Sequence, residues 1–185
     1  MNKKYFFGLF LLSLFFVSAC SSGNTQTTGS AVGQQATVGI NKGDMPPDFT
    51  IMTIDNKQYT LSNFKNEKPI LLYFWASWCP YCSQDFDVVK NIYPKYADKV
   101  TFLAIDLDLN EDVELIRKYK ERKSLEGIDF AAGKQDVLSD YAIKYTTTKY
   151  AIAKNGAILY KGSGVFSEQQ WEILLSGLVN SWLQF

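Results

Sequence analysis

The stretch Pro69-Ile70-Leu71-Leu72-Tyr73-Phe74-Trp75-Ala76-Ser77-Trp78-Cys79-Pro80-Tyr81-Cys82 decides how the 185-residue chain is read. From Pro69 to Trp75 the run is apolar without polar alternation. That predicts a central strand buried on both faces. Cys79-Pro80-Tyr81-Cys82 then opens a helical pattern to about Tyr93, with Phe86, Val89 and Ile92 on one side. Pro80 fits the first turn of such a helix, where its missing N–H has no partner to lose. Two cysteines separated by two residues can bond across one helical turn. The first sits where free backbone N–H groups and the positive end of the helix dipole favour a thiolate, and it is expected to be the exposed member. The second, one turn in, is placed to resolve a mixed disulfide.

The pattern continues on both sides. Upstream, Pro46 and Pro47 favour extended chain. Phe49–Ile54 and Gln58–Leu61 read as two short strands around the turn Asp55-Asn56-Lys57. Downstream, Val100–Ile105 is a second buried strand, Glu111–Lys123 a charged amphipathic helix and Gln135–Ile143 a shorter helix. Tyr150–Ala153 and Ala157–Tyr160 form a hairpin around Lys154-Asn155-Gly156, where Asn-Gly supplies positive φ. Ser167 to Trp182 is a final helix, with Ser167 as N-cap and Gln170 at the capping-box position. Alternating strands and helices closed by a hairpin and a helix predict an α/β sandwich. Trp171 and Trp182 read as core, while Trp75 and Trp78 flank the cysteine motif. Arg117-Lys118 and Lys120–Lys123 read as a solvated helix face.

The first forty residues have another character. Met1-Asn2-Lys3-Lys4 is a short positive start, and Tyr5–Val17 is apolar apart from Gly8 and Ser13. With small residues leading to Cys20, this is the layout of a secretory signal peptide, and the run is short for a membrane span of roughly 20 residues. Val17-Ser18-Ala19-Cys20 resembles the lipobox of bacterial lipoproteins, which implies lipid on Cys20. Ser21–Gly43 is rich in Ser, Thr, Gly and Gln and carries few apolar residues, so it reads as a flexible linker. The expected organisation is a lipoprotein signal peptide over 1–19, a lipidated cysteine and linker over 20–43, and one folded domain over 44–185.

Charge and cysteine usage narrow the chemistry. Basic and acidic residues balance at 19 each, so no basic surface points to nucleic acid. There is no histidine. His-based bases, His metal ligands and Cys–His arrangements are therefore excluded. A zinc site through Cys79 and Cys82 lacks two further ligands. A purely structural disulfide is the other bland reading, and it would close only a tiny loop and add little stability.

Phe74-Trp75-Ala76-Ser77-Trp78-Cys79-Pro80-Tyr81-Cys82 resembles the active-site segment of thioredoxins. With Pro47-Asp48-Phe49 and Tyr59-Thr60-Leu61-Ser62-Asn63-Phe64, the chain from about Pro46 onward resembles the membrane-tethered TlpA/ResA group of thiol–disulfide oxidoreductases. The resemblance implies a thioredoxin fold: a central mixed β-sheet with helices on both faces and an N-terminal strand hairpin. It implies exchange with protein thiols and disulfides through a redox-active Cys79–Cys82 pair, most simply as a reductase. It implies a membrane redox partner, an extracytoplasmic location, no cofactor and a monomer. Ala76 stands where peroxiredoxins need a threonine.

Three positions depart from that group. Asp85, one turn beyond Cys82, stands where the group commonly has a glutamate thought to manage the proton of the second thiol. The position of the buried aspartate of thioredoxins is Tyr73 here. Asp85 reads either as that proton carrier or as a solvated acid of the early helix. The pair Pro80-Tyr81 is of glutaredoxin type, and Tyr81 is alternatively an exposed aromatic contact for substrate, beside Trp78. Thr147, after Thr146, falls where the fold usually has a cis-proline facing the disulfide. A cis bond before a non-proline residue costs about 2.5–4 kcal/mol, so the loop is expected to be trans or strained. The Thr147 hydroxyl is expected near Cys79, where it can hydrogen-bond a thiolate. Loss of the proline also opens a second reading, a binding module holding a metal or a partner through Cys79 and Cys82. The plainest reading makes Thr147 a neutral loop residue.

Overall fold

A computed structural model describes residues 37–181. The signal peptide, Cys20 and Trp182 lie outside the described residues. Among the described residues no helix is long and apolar enough to cross a membrane.

The apolar run forms strand β3 (Ile70–Trp75), every residue of which is buried. It is the middle of a five-stranded sheet of order β5-β4-β3-β6-β7. Strand β4 (Thr101–Asp106) lies parallel to it, with Trp75 opposite Asp106. Strand β6 (Thr148–Ile152) lies antiparallel on its other side, with Tyr73 opposite Lys149 and Phe74 opposite Thr148. Strand β7 (Ile158–Gly162) pairs with β6 as the Asn-Gly turn predicts, with Gly156 at φ 92°. The remaining strand, β5 (Asp129–Ala131), was not anticipated. Three residues are too few to show a period, and pairing with β4 defines them.

Side chains leave the sheet alternately on two faces. One face packs Leu71, Tyr73 and Trp75 against helices α1 (Pro80–Ile92), α2 (Val113–Lys123) and α4 (Glu168–Asn180). The other packs Ile70, Leu72 and Phe74 against helix α3 (Gln135–Asp140) and the hairpin of β1 (Thr50–Met52) and β2 (Gln58–Thr60). Helices therefore cover both faces, as expected. Helix α4 begins on the full capping box: Gln170 N–H donates to Ser167 Oγ, and Ser167 N–H to Gln170 Oε1. The basic face of α2 is less free than expected. Arg117 and Lys120 pair with Asp55 in the hairpin turn, and Lys123 pairs with Asp87 of α1.

The chain is already paired from Thr37, ahead of the boundary expected at Asp44. Met45 N–H donates to Thr37 O at 2.9 Å, Gly43 N–H to Ile158 O at 2.8 Å and Ile158 N–H to Asp44 O at 2.9 Å. Backbone hydrogen bonds hold this segment, which its polar composition does not reveal.

Candidate active site

Cys79 and Cys82 form a disulfide with their Cα atoms 5.3 Å apart. Cys79 is the N-cap of α1, Pro80 follows in the first turn, and Cys82 N–H donates to Cys79 Sγ at 3.0 Å. The helix thus directs a free N–H group and its positive end at the first sulfur. Cys79 is not the exposed member expected: it is 2% exposed and Cys82 is fully buried. As N-cap its sulfur folds back over the helix's first turn. Exposure belongs to the neighbours, Trp78 and Tyr81, at 60% each.

The loop leading into α1 is held by carboxylates from the segment after β4. Ser77 donates its N–H to both oxygens of Glu111, at 3.2 and 3.1 Å, and its hydroxyl to Oε1 at 2.5 Å. Trp78 Nε1 donates to Asp108 Oδ2 at 2.8 Å. Behind them, Asp106 is buried at the end of β4 and takes Asp108 N–H on Oδ1, while Oδ2 meets no donor. Burial, with Glu111 next to it, pushes the Asp106 carboxyl up to about 8.

Asp85 is not a solvated acid; it is completely buried. Its Oδ2 accepts from Tyr73 OH at 3.0 Å and Lys149 Nζ at 2.8 Å, and its Oδ1 from Phe166 N–H at 2.8 Å and Trp171 Nε1 at 3.2 Å. Those four donors fill the acceptor positions of a carboxylate, so none is left for the Cys82 thiol. Desolvation, reinforced by Asp85, holds the Tyr73 hydroxyl well above the usual tyrosine range, so it stays a donor. Lys149 gives its other protons to Thr147 O at 3.1 Å and Gly164 O at 2.7 Å. Burial pulls its ammonium below the ordinary lysine range, against the Asp85 carboxylate.

Thr148 pairs with Phe74, so Thr147 enters the sheet at the end of β3 that leads to Cys79. The described residues contain no cis peptide bond, and Thr147 has φ 61°, in the left-handed region. The loop is therefore both trans and strained, since β-branched residues seldom adopt that conformation. The Thr147 hydroxyl is not free for a thiolate. It donates to Thr146 O at 2.5 Å and accepts Gly164 N–H at 2.9 Å.

Reading the sequence missed Lys149, Glu111, Asp108 and Asp106. A signal existed for Lys149: it shares strand parity with Ala151, on a face that must be buried, and a charge there requires a partner.

The Redoxin family model matches residues 41–174. The chain belongs to the Redoxin family. Among Redoxin relatives, thioredoxin-like protein YneN of Bacillus subtilis is 26% identical over 93% of this chain and 96% of its own length. Thiol-disulfide oxidoreductase ResA of Bacillus thuringiensis is 27% identical over 70% of this chain and 74% of its own. A solved structure assigned as thiol:disulfide interchange protein DsbE from Chlorobium tepidum superposes with a TM-score of 0.62 at 28% identity. It covers 74% of this chain and 99% of its own. This Redoxin protein is a thiol–disulfide oxidoreductase of the TlpA/ResA type with a thioredoxin fold.

Proposed function

We propose that the chain reduces disulfides of proteins outside the cytoplasmic membrane, tethered there by lipid on Cys20. The observation that carries this reading is the disulfide at the start of α1, with Cys79 as N-cap beneath the helix's free N–H groups. In the reduced form, the Cys79 thiolate attacks one sulfur of a substrate disulfide. The other substrate sulfur leaves as a thiolate and takes up a proton. The Cys82 thiol gives up its proton and its sulfur attacks Cys79, which releases the second substrate thiol. The Cys79–Cys82 disulfide remains, and a membrane-bound dithiol donor restores it to the reduced form. Trp78 and Tyr81 provide exposed aromatic contact for an unfolded substrate segment. The cysteine resembling a lipobox residue and the likeness to ResA support the location.

The test is the reduction potential of the chain from Ser21 onward, equilibrated against glutathione and dithiothreitol. A value near or below about −230 mV is expected of a reductase. A value near about −120 mV overturns that direction in favour of an oxidant.

A further inference from the structure

Lys149 and Asp85 are both completely buried, and the proposed chemistry uses neither. A buried ion pair is seldom retained for stability alone. Well-packed apolar residues of similar volume often serve as well or better. The pair therefore calls for an account of what it ties together.

On one side is α1, where Asp85 stands one turn beyond Cys82. On the other are two loop carbonyls, Thr147 O and Gly164 O, each receiving a proton from the same ammonium. These loops are bonded to each other as well, by Gly164 N–H on the Thr147 hydroxyl. The nitrogen is walled by the rings of Phe166, Tyr73 and Trp171, at 4.5, 4.9 and 5.1 Å from their centroids. Each ammonium proton has one acceptor, so the group has no alternative arrangement in this site. A left-handed threonine persists only where its surroundings over-determine it. Gly164 N–H holds the Thr147 hydroxyl and Lys149 holds its carbonyl, and of the two only Lys149 also reaches the helix carrying the disulfide, through Asp85.

We infer that Lys149 is a positioning residue for exchange with protein disulfides: through Asp85 it fixes the Thr146–Thr147 backbone relative to Cys79–Cys82. The inference rests on the proposed function for its consequence in turnover. A proline holds a loop by its own ring; here a buried ammonium in the next strand holds it from behind.

The experiment uses the chain from Ser21 onward as wild type, Lys149→Met and the double variant Lys149→Met/Asp85→Asn, which buries no lone charge if the single variant misfolds. Two readouts are taken on whichever variants show native circular dichroism. In hydrogen exchange, the amides of residues 146–148 are expected to exchange at least about tenfold faster than in wild type, with those of β3 and β4 unchanged. In insulin reduction, KM is expected to rise about tenfold while kcat falls less than about threefold. Loop amides as protected as in wild type, or a KM within about twofold of it, would overturn the inference. A fall in kcat as large as the rise in KM, together with faster exchange throughout the sheet, would also sink it, because Lys149 would then be merely structural. A wild type that reduces no insulin strikes the proposed function instead, and the loop amides still decide whether Lys149 holds Thr147.

Discussion

Glu111 accepts both the backbone N–H and the hydroxyl of Ser77. The loop that delivers Cys79 to its helix is thus fastened to the loop that leaves β4. Replacing Glu111 by Ala removes charge-assisted bonds to two donors. It is expected to cost roughly 1.5–3 kcal/mol in urea unfolding. Glu111→Gln keeps the acceptor oxygen and is expected to lose less.

Asp106 makes stability depend on pH. Its carboxyl is raised from 3.8 in the free side chain to about 8 in the folded state, by burial first and by Glu111 second. Between those values the folded state holds a proton that the unfolded chain has released. The contribution of this group to stability therefore falls as pH rises from about 4 to about 8, and levels off above. Urea midpoints measured across that window should show the decline. Asp106→Asn should flatten it and raise stability at pH 8 by roughly 1–3 kcal/mol, the scale of one poorly satisfied buried group. A decline of the same slope in Asp106→Asn would assign it to another residue.

Asp85→Ala leaves the Lys149 ammonium buried without its counter-charge. A loss of about 3–5 kcal/mol is expected, read as a drop in the urea midpoint. Asp55 is the control, since its side chain is 46% exposed and its partners Arg117 and Lys120 remain hydrated when it is removed. Asp55→Ala should cost no more than about 1 kcal/mol.

Thr147→Pro does not restore the usual arrangement of the fold. Proline needs φ near −65°, and this position has φ 61°. The substitution also removes the hydroxyl that accepts Gly164 N–H. It should destabilise by more than about 1 kcal/mol. Thr147→Asn, which tolerates the left-handed region, should lose less. Thermal unfolding of the two variants side by side decides; an equally stable proline variant would mean that the loop rearranges freely.

Legibility in the sequence followed the range of the interactions. The buried strand 70–75, the helix opened by Cys79-Pro80-Tyr81-Cys82, the Asn-Gly hairpin and the Ser167–Gln170 box are written within a few residues each. The site's electrostatics join positions far apart: Lys149 meets Asp85 across 64 residues, and Ser77 meets Glu111 across 34. No local period encodes such a pairing. Asp85 shows the difference within one residue. Its spacing from Cys82 was legible, but the four donors that fill its carboxylate come from three other segments of the chain. Strand β5 and residues 37–43 escaped for a related reason, since only backbone pairing defines them.

The early pairing of Thr37 with Met45 also has a directional meaning. That segment docks on Ile158, at the end of the sheet where β3 begins, whereas the disulfide lies past Trp75 where β3 finishes. A strand of this length separates the two poles by roughly 20 Å. Thr37 and the sulfur pair thus stand at opposite poles of the sheet. Under the proposed lipid tether, the domain would be held at its heel and the disulfide carried at its toe.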